Sequence, residues 1–484
     1  MTNTEPVKPL REEIMSATTP AQTMNFDVIV IGWGKGGKTL AATLSKSGKK
    51  VAIIEESQGM YGGTCINIGC VPTKFLVHRA EERPSSKGIA EDGEAAIQWF
   101  KDSVAGRDGL IGKLNAANYA MLDAAQNVTI VDGHARFTGP HTVEVQAGSD
   151  LLKLTAPTIV INTGATHIDP PATIEGADAS RFVYDSTTIQ HVDPLPKHLV
   201  IVGGSFIALE FASMFAHYGS QVTVLVRRPM PLPQEDPDTV ETLIDILTQA
   251  GVRFITGTNA LRLEDRSDHT LVHLDNGDTL VAQAVLFALG RRAQTDDLGL
   301  ENAGIETTER GFIRVDEYLR TNVEGVYAIG DVNGGPQFTY ISLDDYRIVV
   351  DQLLGQGKRS TKDRKAVPST AFITPPFAWV GMSEGEALKA GHKVEIAKKD
   401  VAQIASMPKA KIYGQTQGMM KFIIDANTDE ILGARLISID AQELINTVAL
   451  AMRTGVTATQ LRDSIFTHPS STEAFNEVLG VRQG

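Results

Sequence analysis

Phe26-Asp27-Val28-Ile29-Val30-Ile31-Gly32-Trp33-Gly34-Lys35-Gly36-Gly37 begins as an apolar run and closes on glycines. The run has the length of a buried parallel strand, the glycines mark a tight turn, and the small residues from Lys38 to about Ser47 read as a helix. A second strand, Val51 to Ile54, ends at Glu55, 18 residues beyond Gly37. In such a unit Gly32 permits the turn, Gly34 lets a pyrophosphate approach the backbone, and Gly37 lets helix and strand pack closely. The helix N-terminus faces the phosphate charge, and Glu55 is placed to accept from a ribose hydroxyl. A glycine fingerprint alone is weak, but strand, helix and acid together predict a dinucleotide site.

The pattern returns 171 residues later. Leu199 to Val202 is a strand, Gly203-Gly204-Ser205-Phe206-Ile207-Ala208 a turn, Leu209 to Tyr218 a helix, and Val222 to Val226 the next strand. Ser205 stands where the middle glycine belongs and Ala208 where the last one does. Between the copies lie a helical stretch, Gly93 to Gln126, and short alternating strands such as Thr142 to Val145, ending at Thr158 to Asn162 and Thr163-Gly164. After the second copy, Ala284 to Leu289 is a buried strand closed by Gly290, and Gly325 to Asp331 repeats the theme with Gly330 and Asp331 just past a strand. From about Val367 the texture becomes antiparallel, with a hairpin of Lys421 to Ile424 and Ile431 to Ile437 around Asn427-Thr428-Asp429.

A chain of 484 residues is about three typical domains long. With 45 Lys and Arg against 58 Asp and Glu, its net charge of −13 repels phosphate backbones, which argues against a nucleic-acid partner. No run approaches the roughly 18–20 apolar residues of a membrane span, so no membrane partner is expected. Residues 1–25 contain no secretory apolar core, and Glu5, Glu12 and Glu13 argue against an Arg-rich presequence; the segment reads as a flexible arm. Two cysteines in the whole chain suit redox or metal chemistry in a reducing cytoplasm better than a disulfide framework.

Both cysteines fall in Gly62-Gly63-Thr64-Cys65-Ile66-Asn67-Ile68-Gly69-Cys70-Val71-Pro72-Thr73-Lys74, directly after the first strand pair. A zinc site would need further ligands, and His78 is the only near candidate, so no metal site is assigned and a redox disulfide is the natural reading. Lys74, one helical turn beyond Cys70, should depress that thiol's pKa. Here the sequence resembles the FAD-containing pyridine-nucleotide disulfide oxidoreductases, which include glutathione reductase, dihydrolipoamide dehydrogenase and mercuric reductase. The resemblance covers residues 26 to 478, and Gly-Gly-Thr-Cys with its five-residue step to the second cysteine is its most specific part.

The resemblance implies an α/β fold with two Rossmann-like dinucleotide-binding domains and a C-terminal α+β dimerisation domain. An FAD domain, 26–165 and 291–366, would be interrupted by an NAD(P)H domain, 166–290, and followed by the dimerisation domain, 367–484. It places FAD on Gly32, Gly34, Gly37, Glu55, Thr64, Thr163, Gly164, Gly330 and Asp331, with Lys74 near the flavin. The coenzyme falls to Gly203, Ser205, Phe206, Ile207 and Gly290, the Phe206 ring serving as lid over the nicotinamide pocket. Cys65 becomes the thiol that meets substrate, Cys70 the one that faces the flavin, and Glu210 the ion-pair partner of Lys74. His468 and Glu473, in Phe466-Thr467-His468-Pro469-Ser470-Ser471-Thr472-Glu473, match the catalytic dyad that acts across a homodimer.

At the end of the second fingerprint's strand, Val226 takes the place of the usual acid, and Arg227 and Arg228 follow. Two guanidiniums beside a missing carboxylate suit the 2′-phosphate of NADPH, with NADH the alternative. No cysteine follows Cys70, which disfavours mercuric reductase. The stretch Gly335-Pro336-Gln337-Phe338-Thr339-Tyr340-Ile341-Ser342-Leu343-Asp344-Asp345-Tyr346-Arg347 is similar to the reactive-chlorine-resistance flavoproteins, as are Met60-Tyr61-Gly62-Gly63 and Gly357-Lys358-Arg359-Ser360-Thr361. That resemblance implies a cytoplasmic NAD(P)H oxidoreductase acting on a small-molecule oxidant, hypothiocyanous acid or Cu(II). Dihydrolipoamide dehydrogenase, another small-disulfide reductase or mercuric reductase is the alternative.

Overall fold

The structure is a computed structural model that describes residues 23–84 and 89–483. Five strands, the inner ones buried along most of their length, form the first parallel sheet, in the order Val326–Ala328, Thr158–Ile161, Val28–Ile31, Val51–Glu55, Val128–Asp132. A second parallel sheet runs Val183–Tyr184, Ala284–Phe287, His198–Val202, Gln221–Val226, Val252–Thr256. Their inner strands are mostly apolar because both faces are buried. One face lies under helices, with Leu40 and Leu44 on the first sheet and Ala212 and Phe215 on the second. The other lies under a small antiparallel sheet, with Val143 and Leu154 on the first and Val272 and Ala282 on the second. The third sheet has six strands, all antiparallel to their neighbours, running from Ser369–Ala371 to Val394–Asp400 with Arg482–Gln483 at its edge. The expected hairpin is there as Met419–Asp425 paired with Ile431–Ile437.

Three details depart from the sequence reading. Residues 1–22 of the expected arm lie outside the described residues, but Thr23–Asn25 is a strand parallel to Lys153–Thr155, because its backbone completes the edge of a small four-stranded sheet. Both fingerprint helices start about three residues early, at Lys35 and Phe206, so residues assigned to the turns already form the first helical turn. The helix Ile89–Asp123 contains Gly93 with φ 34°, a break in helical geometry where the sequence placed the helix start.

The helix Cys70–Glu81 buries Leu76, Val77 and Ala80 in one core with Leu199, Ile201, Leu209 and Phe215 of the second nucleotide unit and Ala371, Ile373 and Phe377 of the C-terminal sheet. Burying each large apolar side chain stabilises by about 1.5–3 kcal/mol, so this packing fixes where the cysteine helix points. At the end of the first sheet, Asn162 follows the strand Thr158–Ile161 and ties the glycine turn to the strand Val326–Ala328. Its Oδ1 accepts from Gly37 N at 2.8 Å and its Nδ2 donates to Ile329 O at 2.8 Å, both buried.

Asn162→Ala leaves a buried amide and a buried carbonyl without partners. It should destabilise the protein by about 2–4 kcal/mol, read as a lower urea midpoint, and an unchanged midpoint would refute the role given to this residue.

Candidate active site

Gly32 has φ 97°, and a Cβ there would lie 2.4 Å from Asn162 O; at Gly34 it would meet Asn162 Oδ1 at 2.5 Å. Only glycine fits this approach of turn and neighbouring strand. Of the amides at the helix N-terminus, Gly36 N donates to Ser342 Oγ at 3.0 Å and Gly37 N to Asn162 Oδ1. The whole helix end is therefore not open to phosphate, as the sequence suggested; the amides of Gly34 and Lys35 are the ones without a partner among the described residues. Glu55 accepts from Trp33 N at 3.0 Å and Ser57 N at 3.3 Å, and burial pushes its carboxyl up to about 7. Asp331 is likewise raised by burial and has no side-chain hydrogen bond among the described residues, while Gly330, φ 75°, donates its N–H to Asp345 at 2.6 Å.

Thr64 is the first residue of the short helix Thr64–Asn67, and its carbonyl accepts from Gly69 N at 2.7 Å, which folds the cysteine segment back on itself. Thr163 donates its hydroxyl to Gln294 O at 2.7 Å, and Gly164, φ 77°, borders open space. Asn162, one residue earlier, carries most of the bonding at this strand end. The signal for it was a polar residue closing an all-apolar buried strand.

Cys65 is half-buried and Cys70 exposed, both as thiols. The Cys65 thiol hydrogen-bonds to Cys70 and, with it, Thr339 and the charge of Lys74 hold Cys70 below the ordinary thiol range against burial and Glu210. Cys65 moves the other way, raised first by sharing that proton with Cys70 and then by burial. Lys74 therefore acts in the expected direction but is not the leading cause. Its Nζ donates to Glu210 Oε2 at 2.8 Å and sits 4.8 Å from the centre of the Phe372 ring, while Glu210 Oε1 accepts from Phe372 N at 2.7 Å.

Thr339, which sequence reasoning quoted without giving a role, lies 3.6 Å from Cys70 Sγ through its hydroxyl. It begins the helix Thr339–Leu354, and residues on one face of that helix organise the site. Ser342 accepts from Gly36 N, Asp345 accepts from Gly330 N and is clamped by Arg364, and Tyr346 Oη pairs with Thr43 Oγ1 at 3.0 Å.

In the second nucleotide unit, Ser205 caps the helix Phe206–Tyr218 without a side-chain cap bond, and its covered Oγ has no partner among the described residues. The Phe206 ring stacks on Trp379 with centroids 4.3 Å apart, an aromatic neighbour from the C-terminal sheet that the lid expectation lacked. Ile207 packs on the shared core, and Gly203 and Gly290 take φ 142° and 110° at the ends of their strands. Arg227 and Arg228 are exposed beyond buried Val226, with no ion-pair partner among the described residues. Far along the chain, His468 Nδ1 lies 2.9 Å from Glu473 Oε1, and Glu473 Oε2 accepts from Ser470 N at 2.8 Å. The His468 hydrogen bond holds Glu473 below the usual carboxylate range, and the imidazole is 72% exposed.

Two family profiles match this chain: pyridine nucleotide-disulphide oxidoreductase over residues 26–345 and the corresponding dimerisation domain over 367–479. The chain belongs to the pyridine nucleotide-disulphide oxidoreductases. Members of this family are enzymes that use FAD and NAD(P)H and act on sulfur groups. The chain is 42% identical over 456 residues to the probable pyridine nucleotide-disulfide oxidoreductase RclA of Escherichia coli strain K12, covering 94% of this chain and 99% of that protein. It is 34% identical to a dihydrolipoyl dehydrogenase of Thermus scotoductus, covering 93% and 96%. The fold superposes with a TM-score of 0.88 on the Cu(II) complex of the HOCl-induced flavoprotein disulfide reductase RclA from Escherichia coli, covering 94% of this chain and 99% of that one at 42% identity.

The oxidoreductase's residues fit FAD: a glycine turn that only backbone approaches, two amides without partners among the described residues, and Glu55 and Asp331 as half-buried carboxyls that ribose and ribityl hydroxyls can reach. No described helix is long and apolar enough to cross a membrane.

Because a donor next to Cys70 stabilises its anion, reduced holoenzyme should show a long-wavelength thiolate-to-flavin band that persists below the ordinary thiol pKa of about 8.5. Cys65→Ser keeps a donor and the band but stops turnover, and Cys70→Ser abolishes the band. Thr339→Val should move the band's disappearance to higher pH in a spectrophotometric titration. An unmoved titration would remove Thr339 from the site.

Proposed function

We propose that the enzyme is a cytoplasmic, homodimeric, NADPH-driven reductase of a small oxidant, hypothiocyanous acid foremost and Cu(II) second. The observation that carries this reading is the position of Thr339. The stretch Gly335 to Arg347, which sets the sequence apart from the glutathione reductase and lipoamide dehydrogenase types, meets the dithiol at Cys70. The likeness to a protein whose solved structures are described as HOCl-induced and as a Cu(II) complex supports the same class of oxidant. Arg227 and Arg228, solvent-facing and without an ion-pair partner among the described residues, support the 2′-phosphate of NADPH.

Bound FAD supplies the two-electron relay from NADPH to the disulfide. Cys65, as thiolate, then attacks the sulfur of hypothiocyanous acid: an S–S bond forms, the S–O bond breaks, and hydroxide leaves. Cys70 attacks the Cys65 sulfur, expels thiocyanate and closes the disulfide, so the dithiol's two electrons end on the oxidant. Hydroxide is a poor leaving group. His468 of the partner subunit, oriented by its carboxylate neighbour, protonates it to water, a contribution of roughly 10²- to 10⁴-fold. Two Cu(II) ions accept the same two electrons one at a time from the thiolates and involve no oxygen leaving group.

His468→Ala should therefore lower hypothiocyanous acid turnover at least tenfold in steady-state NADPH oxidation while Cu(II)-dependent oxidation falls much less. An equal drop with both oxidants removes the proton argument, and fast turnover of glutathione disulfide or dihydrolipoamide removes the substrate assignment.

Arg227→Ala should erase a preference for NADPH over NADH in kcat/KM. Equal efficiency with the two coenzymes in the wild type would overturn that assignment.

A further inference from the structure

Among the described residues two lysines are buried, and their surroundings differ. Lys421, 1% exposed, is met by Asp236 at 3.2 Å, Asp238 at 3.0 Å and Glu384 at 2.7 Å. Lys38, 7% exposed, has no carboxylate partner among the described residues; its Nζ donates only to Asn118 Oδ1. A buried ammonium without a counter-ion is strongly unfavourable, so its retention calls for an anion nearby.

The surrounding elements set Lys38 beside the segment that carries Cys65. Lys38 lies in the first turns of the helix Lys35–Lys46, and Asn118 comes from the helix Ile89–Asp123. A Cβ on Gly62 would lie 3.2 Å from Asn118 Cγ, so the asparagine that holds the ammonium also lies against the segment leading into Cys65. The same long helix holds that segment through Asn115, whose Nδ2 donates to Asn67 Oδ1 at 3.1 Å, while Asn67 Nδ2 donates to Gly63 O at 2.9 Å. The charged groups that act on Lys38 are Lys35 and Cys65. Burial and then Lys35 push Lys38 down to about 8, and the Cys65 charge pulls it back up. On Cys65, which sharing its proton with Cys70 and burial raise, Thr339 and Lys38 act in the opposite sense.

We infer that Lys38 is the counter-ion of the Cys65 thiolate, a positioning residue that stabilises the arrangement of the reduced dithiol in which negative charge sits on the attacking sulfur. In that arrangement the single shared proton has left Cys65 Sγ and bonded to Cys70 Sγ; no electron moves and no co-reactant is needed. Lys74 favours the opposite arrangement, with charge on Cys70. Lys38 and Lys74, ammonium groups on different helices, thus bias the shared proton in opposite senses. This inference rests on Cys65 being the thiol that meets the oxidant, but its test reads thiol titration rather than turnover, so the two can fail separately.

The experiment is pH-dependent iodoacetamide labelling of Cys65 in reduced holoenzyme, followed by mass spectrometry of the Cys65 peptide. Lys38→Met should shift the labelling midpoint up by about one pH unit, about tenfold slower labelling at pH 7, as expected for removal of one nearby opposite charge. Lys38→Arg should restore most of the rate, and FAD content should hold. An unchanged midpoint in Lys38→Met overturns the inference, as does loss of FAD with an unchanged midpoint, which would assign the cation to the cofactor's phosphates. Should Lys38→Met not fold, acetic anhydride labelling of Lys38 in the wild type decides: capping Cys65 with a neutral group should speed it, and equal rates before and after capping overturn the inference.

Discussion

A side chain at position 36 would meet Ser342 O at 2.7 Å, and much of the active site follows from that contact. Because Gly36 lets the helix Thr339–Leu354 come this close to the helix Lys35–Lys46, Ser342 can take the Gly36 amide. Thr339, three residues before, then lands on Cys70, and Asp345, three residues after, lands on Gly330 beside Asp331. One face of one helix therefore sets the distance between the phosphate turn, the dithiol and the acid at the far strand. A rigid helix transmits this spacing better than loops would, and three of the contacts are hydrogen bonds to backbone or sulfur that tolerate little slack.

Charge is buried in this protein in two distinct ways. Lys421 and Arg435, both nearly inaccessible, join the second nucleotide unit to the C-terminal sheet through Asp236, Asp238 and Glu235, with Arg435 2.7 Å from Glu235. Such pairs recover through close geometry what desolvation costs, and they specify how the units dock. Near the dithiol the enclosed charges are left incomplete: among the described residues Glu55 and Asp331 have no ion-pair partner and Lys38 has no carboxylate. Groups left in that condition are the ones that a cofactor or a thiolate satisfies, which is why perturbed ionisations gather there.

The second nucleotide unit relates to this centre through aromatic and ionic contacts. Lys74 reaches Glu210, Glu210 caps Phe372, and Phe206 stacks on Trp379, so the cysteine helix, the coenzyme helix and the C-terminal sheet meet at one point. Each of these contacts joins residues more than a hundred positions apart. Any shift of the C-terminal sheet would be felt at the base of the dithiol helix.

Residue spacing along the chain was sufficient to reveal two parallel sheets, an antiparallel C-terminal sheet and the paired cysteines, because each is written locally; the pairing of His468 with Glu473 was read from the family resemblance. Periodicity marks a buried strand, and a glycine marks a backbone that must pass close by. The strand at Thr23–Asn25, the bonding of Asn162 in place of Thr163, the contact of Thr339 with Cys70 and the solitary burial of Lys38 were not legible in this way. Each depends on a partner far off in the chain, brought near only when sheets and helices pack, and no local pattern encodes which distant surface that will be. The sequence by itself determined the kind of chemistry, two thiols beside a dinucleotide turn with Lys74 one helical turn on; only the tertiary structure decided that Thr339 meets Cys70 and that Lys38 is buried beside their segment, because such contacts act through space and not along the chain.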